Sequence, residues 1–214
     1  MKERNTEKQK QESLISSQNV NFKDEQYKTG ENYLSGLFLW YGEVMVYIIM
    51  GVMGAGKTTA AKELAEALNC YFFEGDDYHS AESIEKMRNS LPLDDDDRTP
   101  WLERLRGIID THVEKGDNAV IACSVLKEKY REVLGAERKD VKLVYLKASE
   151  EVIRKRLEKR EGHFASPSLL KSQFEALEEP RNALVIDASL EADEIINIIP
   201  KNRIKGPNLR FSLF

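Results

Sequence analysis

Lys57 and Thr58 close a glycine loop, and acidic and basic groups suited to phosphoryl transfer follow at intervals. Gly51, Gly56, Lys57 and Thr58 satisfy G-x-x-x-x-G-K-[ST] within VYIIMGVMGAGKTT, Val46 to Thr59. The chemistry explains the spacing. Glycines let the main chain wrap a phosphate with its N–H groups pointing inward. The helix that follows aims its positive end at the same phosphates. The loop residues Gly51, Gly54, Ala55 and Gly56, with Lys57, Thr58 and Thr59, form the expected nucleotide cradle. Lys57 reaches the β- and γ-phosphates of ATP, and the Thr58 hydroxyl can ligate Mg²⁺. The rival reading is a plain glycine turn between a strand and a helix. Context argues against it: Val46 to Met50 is a short apolar run, and Thr58 to Leu68 puts Ala61, Leu64, Ala65 and Leu68 on one helical face.

The acidic candidates lie in EGDDYH, Glu74 to His79. A carboxylate there can orient an acceptor hydroxyl and take its proton, and Asp76 is the choice for that role. The rival is a pair of helix-start carboxylates, Asp76 and Asp77. His79 can donate to a polar substrate or be a satisfied structural histidine. The basic candidates are Arg154, Arg156 and Arg160, on or next to one charged helix leading into REGHF. Arginines on a closing lid can neutralise the transferring phosphoryl group. Arg154 reads as part of a solvated face, and Arg160 as functional. Asp97, within the run Asp94 to Asp97, abuts Arg98 and Trp101 and can be held in an ion pair near the substrate.

The positioning elements follow from the hydrophobic pattern. Strands are expected at Val46–Met50, Tyr71–Phe73, Asn118–Cys123, Val141–Leu146 and Ala183–Asp187, separated by helices. LPLDDDDRTP reads as a loop, with Thr99 as N-cap and Pro100 opening a helix that runs to Lys115. Along it Trp101, Leu105, Ile108, Ile109 and His112 form one stripe. Alternation of this kind predicts an α/β fold, a five-stranded parallel sheet with helices on both faces. Ligands then gather at the carboxyl ends of the strands. That rule collects Gly51–Thr58, Glu74–His79, Ser124–Arg131 and the segment after Asp187 around one cleft. The loop Asp187 to Ser189 and the lid arm are geometric candidates for the adenine.

Composition narrows the classes. The chain has 214 residues, 41% hydrophobic, with a net charge of −5. An acidic balance argues against nucleic-acid binding. No apolar run approaches the roughly 20 residues of a bilayer span. Cys70 and Cys123 make no disulfide framework, and both read as buried small apolar residues in a reducing cytosol. Residues 1–44 are expected to be a polar extension that cannot order itself, 45–200 the kinase domain and 201–214 a tail. The aromatic stretch Tyr33 to Val44 can dock on the domain or lie upstream of a start at Met45. Neither N-K-x-D nor D-x-x-G occurs, against a nucleotide switch, and the third strand ends in Cys123-Ser124, where a hydrolytic motor would carry Asp. A small-molecule kinase remains.

The segments GVMGAGKTT, EGDDYH, IEKM, PLDDDDRTPW, ACSVLKEKYR, VYLK, RLEKREGHF and QFEALEEP, in that order, resemble gluconokinase of the small P-loop type, related to shikimate and nucleoside-monophosphate kinases. The resemblance covers about Met45 to Pro180. It implies a nucleoside-monophosphate-kinase-like fold with a mobile lid, and ATP-dependent phosphorylation of D-gluconate at its 6-hydroxyl. The alternative is a kinase of the same fold for another hydroxy acid or a nucleotide, and after it a non-catalytic nucleotide-binding module. By similarity, Asp76, His79, Lys86, Arg98, Lys127, Arg131 and Gln173 face the substrate, and Arg160 resembles the lid arginine. A carboxylate substrate needs cations such as Lys86, Arg98 or Arg131. Homodimers are common in this family. Met53 and Ala55 stand where the family usually has serine, Ser90 where glycine is common, and Asp94 where asparagine is usual. The added charge of Asp94 puts affinity in question more than reaction type.

Overall fold

A computed structural model describes residues 44–89, 91–158 and 167–200, the side chains of 167 and 168 excepted. The N-terminal extension, Ser90, Arg160 and its lid segment, and the tail lie outside the described residues.

The first strand, β1 (Val46–Met50), is buried along its whole length. An apolar run without alternation belongs in the middle of a sheet, covered on both faces. It is followed by α1 (Lys57–Leu68), β2 (Tyr71–Glu74), a 3₁₀ turn (Gly75–Tyr78), α2 (Ala81–Arg88), α3 (Asp95–Lys115), β3 (Ala119–Ala122) and α4 (Glu128–Val133). Then come β4 (Val141–Lys147), α5 (Glu150–Glu158), α6 (Pro167–Ala176), β5 (Leu184–Asp187) and α7 (Ala192–Ile198). The strand order is β2-β3-β1-β4-β5, all parallel. Ile48 sits beside Ile121 on one side and Leu143 on the other.

Alternation along the strands splits the core in two. Tyr47, Ile49, Val120 and Leu146 pack against Leu64 of α1, Ile153 of α5, Leu170 of α6 and Ile195 of α7. Ile48, Met50, Ile121 and Tyr145 pack against Trp101, Leu105 and Ile109 of α3, Tyr130 of α4 and Leu134 just after it. Helices thus cover both faces, as the pattern required. Asp187 ends an edge strand, away from the centre.

The beginning of α3 corrects an expectation. The aspartate run is not a loop before Thr99; it is the first turn of the helix. Asp94 is the N-cap and accepts from the Asp97 N–H at 2.8 Å, while Asp97 accepts from the Asp94 N–H at 3.1 Å. Asp95, Asp96 and Asp97 then stand where the helix dipole favours negative charge. Pro100 lies inside the helix rather than at its start. The Thr99 hydroxyl does not cap; it donates to the Asp95 carbonyl at 2.9 Å. Cys123 is buried as expected, but Cys70 is only half-buried.

Candidate active site

The phosphate loop turns sharply at Gly51, whose φ of +150° disfavours other residues and whose absent Cβ would lie 2.7 Å from the Leu146 carbonyl oxygen. Ala55 is buried at the loop's base, so a methyl group fits where a larger side chain would crowd. Its N–H donates to the Val52 carbonyl at 3.2 Å. Lys57 Nζ donates to the same carbonyl at 3.1 Å, which folds the lysine over its own loop. Thr58 and Thr59 are exposed at the first turn of α1.

Gly75 carries the acidic turn across the end of β3. A Cβ there would meet the Ala122 carbonyl oxygen and the Cys123 Cβ, both at 2.6 Å. Only glycine lets EGDDYH lie this close to the strand end. From α3 the Trp101 indole Nε1 donates to the Gly75 carbonyl at 2.7 Å in a buried bond. The His79 ring stacks on Trp101, centroids 4.6 Å apart and planes 10° from parallel. Burial pushes the His79 imidazole below its ordinary value, Asp76 opposes that, and Arg98 and Arg104 add to it. His79 therefore favours its neutral form, and among the described residues its buried Nδ1 has no hydrogen-bond partner.

The carboxyl ends of β1 and β2 flank that of β3. The buried Cys123 thiol, raised by burial, feels Lys57, Asp76 and Glu74. Glu74 itself is raised, first by burial, while a hydrogen bond from Thr58 draws it back and Asp76 pushes it up. Motif spacing alone does not distinguish Glu74 within EGDDYH, although a carboxylate ending a strand beside a phosphate loop is a legible signal. A hydroxyl and one carboxylate, Thr58 and Glu74, suit Mg²⁺ bound chiefly through phosphates and water.

The substrate-side candidates separate into two sets. Lys86 is paired with Asp97, at 2.6 Å to Oδ1 and 2.7 Å to Oδ2. Arg131 is buried and donates to the carbonyls of Val125 at 3.2 Å and Leu126 at 2.8 Å. Gln173 accepts from the Met53 N–H of the phosphate loop at 2.7 Å. Arg98 and Lys127 each lie against the Tyr130 ring, at 5.6 and 5.7 Å from its centroid, with longer polar contacts: Arg98 donates to the Leu93 carbonyl at 3.3 Å and Lys127 Nζ lies 3.8 Å from Asp95. The Tyr130 hydroxyl is anchored by Asp95 at 2.6 Å, and Lys129 also binds that carboxylate. These contacts hold Asp95 down at about 2, the Lys129 bond first; burial and then Asp95 push Tyr130 up to about 12.

On the other side of the loop lies a cleft of about 290 Å³ lined by Gly54, Gly56, Thr59, Arg156, Ala188 and Leu190, among others. Of the helical arginines, Arg154 is exposed and Arg156 faces this cleft.

The chain matches the family model described as an AAA domain over residues 48–181. It is 44% identical to the thermosensitive gluconokinase of Escherichia coli over 135 residues, 63% of this chain and 72% of that protein. It is 40% identical to the gluconokinase of Arabidopsis thaliana over 169 residues, 72% of this chain and 89% of that protein. Among solved structures, a gluconokinase from Sinorhizobium meliloti superposes with a TM-score of 0.64 at 35% identity, covering 73% of this chain and 89% of that one.

Proposed function

Because the chain belongs to the gluconokinase family of P-loop kinases, we propose that it transfers the γ-phosphoryl group of ATP to the 6-hydroxyl of D-gluconate. The observation that carries this reading is the strand order β2-β3-β1, which sets the acidic turn after β2 and the phosphate loop after β1 on either side of the carboxyl end of β3, with Gly75 against Ala122. It puts a phosphate grip and a hydroxyl acceptor within one electrostatic neighbourhood.

Main-chain amides from Gly54 onward and Lys57 hold the triphosphate. The nucleobase enters the cleft beside Arg156 and Ala188. Thr58, with Glu74 behind it, would hold Mg²⁺, which would supply positive charge to offset the charge developing on the phosphates. Asp76, exposed at the turn, accepts the proton of the 6-hydroxyl and aims its oxygen at the γ-phosphorus. Arg160, one turn beyond Arg156 in the sequence, supplies positive charge to the transferring group.

The substrate's carboxylate goes to Arg98 and Lys127, whose own contacts, a 3.3 Å bond to the Leu93 carbonyl and a 3.8 Å ion pair with Asp95, are longer than the 2.6 Å Lys86–Asp97 pair and the 2.8 Å bond from buried Arg131 to the Leu126 carbonyl. Neutral His79 donates to a substrate hydroxyl without adding charge. The free thiols of Cys70 and Cys123 suit a reducing cytosol. Among the described residues no helix is long and apolar enough to cross a membrane.

An acceptor panel tests the reading. With ATP and Mg²⁺, gluconate should release ADP at least a hundredfold faster, per kcat/KM, than shikimate or a nucleoside monophosphate. Preference for either of those would replace gluconate as substrate, and release with none would leave a binding module.

A further inference from the structure

The resemblance placed Gln173 on the substrate, but its contacts lie elsewhere. Its Oε1 accepts from the Met53 N–H at 2.7 Å, across 120 residues of chain. That N–H belongs to the same peptide group as the Val52 carbonyl. The carbonyl in turn accepts from the Ala55 N–H and from Lys57 Nζ. One peptide plane of the phosphate loop is thus held at both ends. Removing Gln173 frees the N–H end. A rotated plane turns the Val52 oxygen away from Ala55 and Lys57 and loosens the cradle.

The helix that delivers Gln173 is itself tied down. Leu170 is buried and Phe174 packs on the same core cluster. Just beyond α6, the Glu178 N–H donates to the Leu126 carbonyl at 3.0 Å, and its carboxylate accepts the Glu128 N–H at 2.5 Å. Glu179 pairs with Lys147 at the end of β4 at 2.6 Å. One short motif, QFEALEEP, therefore links the phosphate loop to the loop after β3, the start of α4 and the end of β4.

We propose that Gln173 is a positioning residue that fixes the Val52–Met53 peptide plane of the phosphate loop, and that it is not a ligand of the acceptor. The proposal rests on the kinase reading above only for the acceptor measurement; its nucleotide arm stands apart from it.

The test titrates ADP with Mg²⁺ into the full chain without acceptor, comparing the unmodified protein with Gln173→Met and Gln173→Ala. Methionine keeps the length and removes the acceptor atom. The expected result is ADP binding weakened about tenfold, the loss of one hydrogen bond to the loop, with the KM for gluconate changed less than about twofold. Unchanged ADP binding overturns the proposal, whether or not the KM for gluconate rises. If the chain turns over no gluconate, the ADP titration still decides the matter, and only the substrate assignment fails. Should both variants fail to fold, amide exchange at Met53 in the unmodified chain gives the answer. Slow exchange before ADP is added supports the bond, and exchange at the rate of an open amide overturns it.

Discussion

Lys86 Nζ reaches both oxygens of Asp97, and this pair removes Lys86 from the cations left for an anionic acceptor. Asp97 is held below the usual carboxylate range, first by that bond and then by the Asp94 amide. The same carboxylate closes the cap of α3, so the Lys86 pair and the helix start share one side chain. Lys86→Met should raise the KM for gluconate by no more than about threefold. Arg98→Gln should raise it roughly 10- to 100-fold, the worth of a charge-assisted hydrogen bond. Steady-state kinetics with varied gluconate separates them, and a larger effect at Lys86 would move the carboxylate to that side of the site.

Asp76 is assigned to the reacting hydroxyl. Asp76→Asn keeps the shape and loses the acceptor charge, so kcat should fall about 10²- to 10⁴-fold with the KM for gluconate little changed. A change in KM alone would make Asp76 a binding group only.

Trp101 holds the acidic turn through its bond to the Gly75 carbonyl. Trp101→Phe leaves that buried oxygen unpaired, costing about 1–2 kcal/mol and lowering Tm by roughly 3–6 °C. Because the turn carries Asp76, kcat should fall as well. A stable variant with full kcat would mean the turn is set without the indole.

Much of this arrangement could be read from residue order. Unbroken apolar runs marked the strands, and the phosphate-loop spacing marked the loop. What escaped depended on partners remote in sequence. The aspartates of LPLDDDDRTP looked like a loop because each is a poor helix former inside a helix, yet at its first turn the dipole and the Asp94–Asp97 box reverse that preference. Pro100 reinforced the error, since proline usually opens a helix. Arg131 and Lys86 looked like free cations, because a carbonyl five residues away or a carboxylate eleven away leaves no periodic trace. Glu74 carries a legible signal, an acid ending a strand, whereas the cleft that Arg156 lines is built by the phosphate loop and the segment after β5, remote from it in sequence.

Acid should destabilise the fold through its histidines. Burial is the first cause that holds both His79 and His112 below the ordinary value of about 6.5. As pH falls through about 6.5 the unfolded chain takes up protons that the folded chain refuses, so stability is present above that value and lost below it. His112 packs on Tyr71 and Phe73, with ring centroids 4.6 and 5.2 Å away. His112→Phe keeps an aromatic ring and removes the titration. Its Tm should drop less between pH 7.5 and 5.5 than that of the unmodified protein, and equal drops would contradict the assignment.

The central claim is that a phosphate gripped by the loop at Lys57 is passed to the far end of a sugar acid whose carboxylate is held by Arg98 and Lys127. Carbon and phosphorus NMR of the product made from gluconate, ATP and Mg²⁺ tests it most directly. The account predicts one new phosphate ester, coupled to carbon 6, with one ADP formed for each ester. An ester on any other carbon, or ADP formed without an ester, would contradict it.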